Sequence, residues 1–282
     1  MNNKTAIVTG TSSGFGLSTT IELAQKGFTV IATMRNSHKS SSLLQEASKH
    51  GVESKIIVFE LDVTNEKSIL SFQTRVLDEF GRVDVLVNNA GFAGAGFVEE
   101  VSMDEYRNQF ETNVFGVFAV TKAFLPLMRK QNRGCIINVS SISGKVAFPG
   151  LSPYSASKHA IEGWSESLRL EMLPFGVKVV LIEPGSYKTN IWSTGKQVAQ
   201  ESLQSDSPYQ EYMMRIEKYI AEGENSFGDP LDVAKKIAEI ATTEKPDLRY
   251  PIGRGVKTTI FLKNLLPWRL WEKIIINKLF KK

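Results

Sequence analysis

Tyr154 and Lys158 stand four residues apart in Tyr154-Ser-Ala-Ser-Lys158, so a helix there projects both side chains from one face, one turn apart. A tyrosine hydroxyl, with an ordinary pKa of about 10, is a poor base at neutral pH. An ammonium one turn away favours the phenolate and is expected to lower that value, which brings Tyr154 within reach of general acid/base work. Ser141 follows an apolar run, Cys135-Ile-Ile-Asn-Val139, that reads as a buried strand. It therefore falls at a strand's carboxyl end, where open parallel sheets carry catalytic groups. A hydroxyl there is suited to holding a carbonyl oxygen against that of Tyr154. Tyr-x-x-x-Lys pairs also arise by chance in helices, and serines after strands are ordinary loop residues, so the surrounding elements must decide.

The first of those elements lies at the start of the chain. Thr5-Ala-Ile-Val-Thr9 is a β-branched run, Gly10-Thr-Ser-Ser-Gly14-Phe-Gly16 a glycine-rich turn, and Leu17, Ile21, Leu23 and Ala24 mark a helix after it. Glycines in that setting let the backbone turn sharply and approach a pyrophosphate, and the helix N-terminus adds free N–H groups. The spacing is Gly-x-x-x-Gly-x-Gly, so a plain tight turn is the alternative, and the flanking strand and helix argue against it. A second strand, Phe28 to Thr33, ends at Met34-Arg35 with no acid. An adenosine 2′-hydroxyl calls for a carboxylate there, whereas a 2′-phosphate calls for arginine, which grips it with parallel hydrogen bonds. Arg35, with Ser13 as a further donor, points to NADP(H). A solvated surface arginine is the alternative.

Further strands are expected at Lys55–Glu60, Val83–Val87, Gly134–Val139 and Val177–Ile182, with an edge strand at Asp247–Pro251, where a proline is tolerated. Asp62 either caps the next helix, as does Thr64, or touches a base. Asn88-Asn-Ala-Gly91 is a small, polar turn that admits a ligand closely. A long helical pattern spans Ser102 to Arg129 and encloses Asn113. A buried asparagine needs partners, so Asn113 either satisfies a backbone group or holds a water. Residues 186–228 lack clear strands and mix polar and aromatic residues, which suits a lid over a substrate better than a second core. The organisation expected is one domain at 1–255 with a lid at 186–228, then a basic amphipathic tail at 256–282. The fold class is α/β, a single Rossmann-type doubly wound parallel sheet of about seven strands with helices on both faces.

The bulk numbers agree with a domain of that kind and exclude several others. The chain has 282 residues, 42% hydrophobic and 23% charged, enough for one large core without staples. Cys135 is the sole cysteine and sits in an apolar run, so buried filler is expected, with no disulfide framework and a reducing compartment. Met1-Asn-Asn-Lys4 leads directly into a strand, predicting no secretion signal and a cytoplasmic protein. The net charge of +4 is concentrated in the tail, where Lys257, Lys263, Arg269, Lys273, Lys278, Lys281 and Lys282 face one Glu272. That is a local feature and no nucleic-acid footprint. The tail either packs on the protein or a partner chain, or lies on an anionic membrane. No metal site is predicted.

Taken together, Thr9-Gly-Thr-Ser-Ser-Gly-Phe-Gly16, Asn88-Asn-Ala-Gly91, Asn113, Ser141, Tyr154-Ser-Ala-Ser-Lys158 and Pro184-Gly-x-x-x-Thr189 resemble the short-chain dehydrogenase/reductase family. The resemblance covers about residues 4 to 250, with six motifs in the family's order. Ala32-Thr-Met-Arg35 and the basic tail look like its hydroxysteroid and retinol dehydrogenase branch, while Phe15 departs from the family's common isoleucine. The resemblance implies that Tyr154 is the acid/base, Lys158 lowers its pKa and bonds the nicotinamide ribose, Ser141 orients the carbonyl, and Asn113 holds a relay water. It further implies that Gly10, Ser12, Ser13, Gly14, Phe15 and Gly16 line the pyrophosphate and adenosine end, with Arg35 on the 2′-phosphate. Asp62 and Val63 would flank the adenine, Asn89, Ala90 and Gly91 the ribose, and Pro184, Gly185 and Thr189 the nicotinamide amide. The activity expected is NADP(H)-dependent interconversion of an alcohol and a ketone or aldehyde on a small, moderately apolar molecule, by a homodimer or homotetramer. Two other readings are an NADP(H)-binding sensor or scaffold without turnover, and a membrane-associated lipid, retinoid or steroid dehydrogenase.

Overall fold

Runs of buried β-branched and aliphatic residues form the strands, and their alternate residues feed two separate cores. The computed structural model describes residues 4–192 and 195–280; Lys281 and Lys282 of the tail, and 193–194 of the expected lid, lie outside it. In chain order the elements are β1 (Thr5–Thr9), α1 (Gly14–Gln25), β2 (Thr29–Met34), α2 (Ser41–Lys49), β3 (Ile56–Glu60), α3 (Glu66–Phe80), β4 (Val85–Asn88) and β5 (Ala93–Ala95). Next come α4 (Met103–Phe110), α5 (Gly116–Lys130), β6 (Gly134–Val139), α6 (Ser152–Met172), β7 (Val177–Pro184) and β8 (Lys196–Val198). The chain continues through α7 (Gln210–Gly223), α8 (Pro230–Thr242), β9 (Arg249–Ile252), α9 (Val256–Leu265) and α10 (Trp268–Phe280).

Seven strands form one parallel sheet in the order β3-β2-β1-β4-β6-β7-β9, the doubly wound Rossmann-type architecture expected. Ala6, Val8, Val30, Ala32, Ile137 and Val180 pack on one face under α1 and α8. Ile7, Ile31, Leu86, Ile136 and Val179 face the opposite way onto α3, α5 and α6. Covered on both sides, the strands read as continuous apolar runs. The strand order reverses between β1 and β4, and ligands bind such sheets in the crevice beyond the carboxyl ends at that point. Asp84 secures the opposite end. It accepts from the Thr5 N–H at 2.9 Å and from Arg82 and Arg133 at 2.6 Å each.

Three local expectations need correction, and the tail takes a definite form. Neither Asp62 nor Thr64 caps α3: Asn65 does, accepting from the Ser68 N–H at 3.0 Å, while Asp62 folds back on Thr64. The long helix around Asn113 is two α-helices joined by a π-helical turn at Glu111–Phe115. Residues 186–228 do contain a strand, since β8 pairs in parallel with β5 as a separate two-stranded sheet. Its residues, Lys-Gln-Val, carry no alternation that would announce it. The tail folds as two helices broken at Leu266-Pro267, and the ring of Phe280 lies 4.8 Å from that of Tyr212 on α7. Trp271 is buried, whereas Phe261, Leu265 and Trp268 remain more than half exposed. Among the described residues no helix is long and apolar enough to cross a membrane.

Candidate active site

The glycine turn closes on itself through backbone contacts that leave no room for side chains. Gly10 sits at φ +70° with the Ala90 Cα 2.8 Å from where its Cβ would be, and a Cβ on Gly16 would lie 2.2 Å from the Gly10 carbonyl oxygen. The Thr11 N–H and hydroxyl both donate to the Thr33 carbonyl, at 3.0 and 3.1 Å, tying the turn to β2. Ser13, which precedes α1, is extended and its side chain makes no cap bond. The turn after β4 is joined to the same structure. Asn89 Nδ2 donates to the Thr9 and Gly10 carbonyls at 2.8 and 3.0 Å, and the Asn89 and Ala90 N–H groups donate to the Thr9 hydroxyl. Thr9 was no candidate in the sequence, and nothing in a strand-terminal threonine announces this role.

Helix α6 supplies the other end. Pro153 falls in its first turn and Tyr154 immediately after, a position that suits proline because its missing N–H is not needed there. Tyr154 and Lys158 are both buried, with the Lys158 Nζ 5.6 Å from the centre of the tyrosine ring. The ammonium donates to the Val139 carbonyl, at the end of β6, at 2.7 Å. Burial pushes the Tyr154 hydroxyl up to about 12, with the neighbouring Ser141 hydroxyl pulling the other way by a hydrogen bond. Burial also pulls Lys158 down to about 8, opposed by the charge of Glu162. The expected lowering of the tyrosine pKa by the lysine is thus not found in the chain by itself: the cost of burying a phenolate sets the direction, and the Ser141 hydrogen bond is what opposes it. Asn113, in the π-helical turn, accepts from the Phe92 N–H at 3.1 Å and donates to the Phe92 carbonyl at 3.0 Å. It thereby satisfies a backbone group, the first of its two readings. Ser157, between Tyr154 and Lys158, also takes a bond from Asn113, at 3.3 Å.

One cleft of about 410 Å³ runs from Arg35 to Tyr154. Every site residue expected from the sequence lines it except Gly16, packed beneath Gly10, and Asn113, set behind Phe92. Arg35 is exposed at its outer end, one residue beyond β2. Burial disfavours the charge on nearby Asp62, yet hydrogen bonds from Thr64 and the charge of Arg35 hold its carboxyl below the ordinary range. On the inner wall the Thr189 hydroxyl is buried without a hydrogen-bond partner among the described residues. Tyr187, which no motif in the sequence marks, also lines the cleft, its ring edge-on to Phe15 at 5.5 Å.

A family model described as short chain dehydrogenase matches residues 4–199. The chain is 51% identical over 281 residues to the uncharacterized oxidoreductase YusZ of Bacillus subtilis, covering 99% of this chain and 100% of that protein. It is 36% identical over 264 residues to a 3-ketodihydrosphingosine reductase of Bacteroides thetaiotaomicron, covering 94% and 93%. A structure of an actinorhodin polyketide ketoreductase with NADPH superimposes with a TM-score of 0.77 at 30% identity, over 90% of this chain and 97% of that one.

Proposed function

Because the chain belongs to the short-chain dehydrogenase family, oxidoreductases of CH–OH and C=O groups, we propose that it interconverts an alcohol with a ketone or aldehyde on a moderately apolar molecule, using NADP(H). The observation that carries this reading is one cleft with the Tyr154, Ser141 and Lys158 side chains at its inner end and Arg35 outside. The nucleotide fits the residues present. Gly10 and Gly16 hold the turn closed, because a Cβ on either would meet the chain's own backbone, and the unpartnered Thr189 hydroxyl in the cleft is available to an amide. Arg35, with no acid at the end of β2, suits a 2′-phosphate. Binding of NADPH by the polyketide ketoreductase neighbour supports the same choice.

When bound, the nicotinamide supplies or takes the hydride; the chain's own residues handle the proton and the geometry. With its hydroxyl pushed up to about 12, Tyr154 is fully protonated at neutral pH. It holds a proton ready for a substrate oxygen that becomes an alkoxide, a stronger base than phenolate. Ser141 fixes that oxygen beside the tyrosine, and Lys158 faces the phenolate left behind with a positive charge. Asn113 keeps the Phe92 backbone in place and is assigned the relay water. Asn89, Ala90 and Gly91 meet the ribose, Asp62 and Val63 the adenine, and Pro184, Gly185 and Thr189 the nicotinamide amide.

On the substrate side we assign 186–228 as a lid on the 1–255 domain and 256–282 as its outer support. Similarity to a 3-ketodihydrosphingosine reductase suits an apolar substrate. The exposed Phe261, Leu265 and Trp268, set among lysines, make the tail the place for any contact with an anionic bilayer. The deciding assay follows NADPH oxidation against ketones and aldehydes. Tyr154→Phe is expected to lower kcat by about 10²–10⁴-fold while NADPH still binds by fluorescence titration. Retained turnover in that variant would overturn the assignment.

A further inference from the structure

Tyr154, Lys158, Glu162 and Glu166 are spaced one turn apart along α6, a single stripe leading from the cleft to the surface. Glu162 is 4% exposed, whereas the Glu166 side chain is 53% exposed. Glu162 meets Glu183, from the end of β7 and only 1% exposed, with the two carboxyls in hydrogen-bonding reach of each other. Arg249 on β9 serves both, its Nε 2.9 Å from Glu162 Oε2 and 3.2 Å from Glu183 Oε1, and its other end reaches Glu166. Nε has one hydrogen and gives it to Glu162 Oε2, so Glu162 Oε1 and Glu183 Oε1 are both buried without a hydrogen-bond partner among the described residues.

Two carboxylates are acceptors only, and neither can satisfy the other; a single proton between them satisfies both. The cations acting on the pair are Arg249, Lys145 and Lys158, and the further anion is Glu166. Burial, then the charge of Glu162, raise Glu183 to about 7 against the pull of Arg249 and Lys145. The packing is closed: a Cβ on Gly144 would lie 2.7 Å from the Ser140 hydroxyl, 3.0 Å from Glu162 Cγ and 3.1 Å from the Lys158 carbonyl.

We propose that Glu162 and Glu183 share one proton directly behind the active site, and that the charge left on Glu162 keeps Lys158 an ammonium. Glu162 is then a positioning residue that acts through Lys158, and Glu183 is the partner that carries the proton. The part concerning Lys158 rests on the function proposed above; the shared proton does not.

Two measurements separate them. Difference infrared spectra of the protein without nucleotide, taken between about pH 6 and pH 8, are expected to show a protonated carboxyl that ionises over that interval and is missing from Glu183→Gln. No such band in the wild type, or a band unchanged in Glu183→Gln, would overturn the shared proton. In the pH profile of kcat, Glu162→Gln is expected to move the limb set by Lys158 down by about one unit, so that kcat at about pH 8 drops roughly fivefold with KM unchanged. Glu183→Gln should leave that limb in place, and Glu162→Asp should restore part of it. A purely structural pair would lower the melting temperature of both glutamine variants and move neither limb, and that result would overturn the role of Glu162.

Discussion

The two ends of the cleft are built by different means. At the nucleotide end, contacts run to backbone carbonyls: Thr11 to Thr33, the Asn89 side chain to Thr9 and Gly10, and Gly16 pressed under the Gly10 carbonyl. At the proposed substrate end, β8 has three residues, and on α7 Met213 is the one buried residue while Met214 and Tyr219 are about half exposed. A nucleotide presents a fixed shape, and a backbone cradle that admits only glycine at critical points answers it. The proposed substrate wall, made of sparsely packed side chains, would tolerate change, as suits a fold that hosts many activities.

The sharpest way to break this contrast is to add one methyl group at each end. Gly16→Ala is expected to cost about 3 kcal/mol or to prevent folding, because its Cβ meets the Gly10 carbonyl oxygen at 2.2 Å. Gly223→Ala, at the end of α7 with nothing nearer than Phe227 at 3.8 Å, should instead stabilise by up to about 1 kcal/mol. Denaturant midpoints of the two variants test the pair directly.

A second test is chemical. Arg35→Ala is expected to weaken NADPH binding by about 2 kcal/mol, the scale of a charge-assisted contact, while leaving NADH binding unchanged. Calorimetric titration with both nucleotides reads this, and equal losses for the two would remove the 2′-phosphate role.

Acid should act first at the end of the sheet opposite the cleft. Burial disfavours the Asp84 charge, yet Arg82, the Thr5 N–H and Arg133 hold its carboxyl below the ordinary range. A lowered folded-state value means its contribution is complete above the unfolded pKa of about 4 and is lost as pH falls through the folded one. Asp84→Asn should cost about 1.5 kcal/mol at neutral pH and remove that acid-side component from the curve of stability against pH. The smallest effect is expected at the far end. Phe280→Ala, which removes a partly exposed ring from Tyr212, should cost about 0.5–1 kcal/mol with nucleotide affinity untouched.

The same contrast explains what the sequence made legible. The strands, the glycine turn and the Tyr154/Lys158 pair follow from local spacing, and they stand where that spacing puts them. The short strand β8 was hidden because Lys-Gln-Val has no pattern of its own and takes its register from Ala93-Gly-Ala. The cap at Asn65 was masked by two equally plausible neighbours, Asp62 and Thr64. The tyrosine pKa was misjudged because adjacency to a lysine is visible in a sequence, whereas burial of both groups is not. Glu162 and Glu183 escaped notice for a related reason: a helix and a strand bring them together, and neither carries a mark of the other.

The π-helical turn at Glu111–Phe115 makes the site sensitive to counting. An α-helix turns about 100° per residue, so one residue more or fewer in that turn would swing Asn113 round the axis while leaving helices before and after it intact. Phe92 would then lose both of its bonds to that side chain, and the inner wall of the cleft its brace. A single-codon deletion there would thus injure the enzyme by rotation, with hardly any change in length.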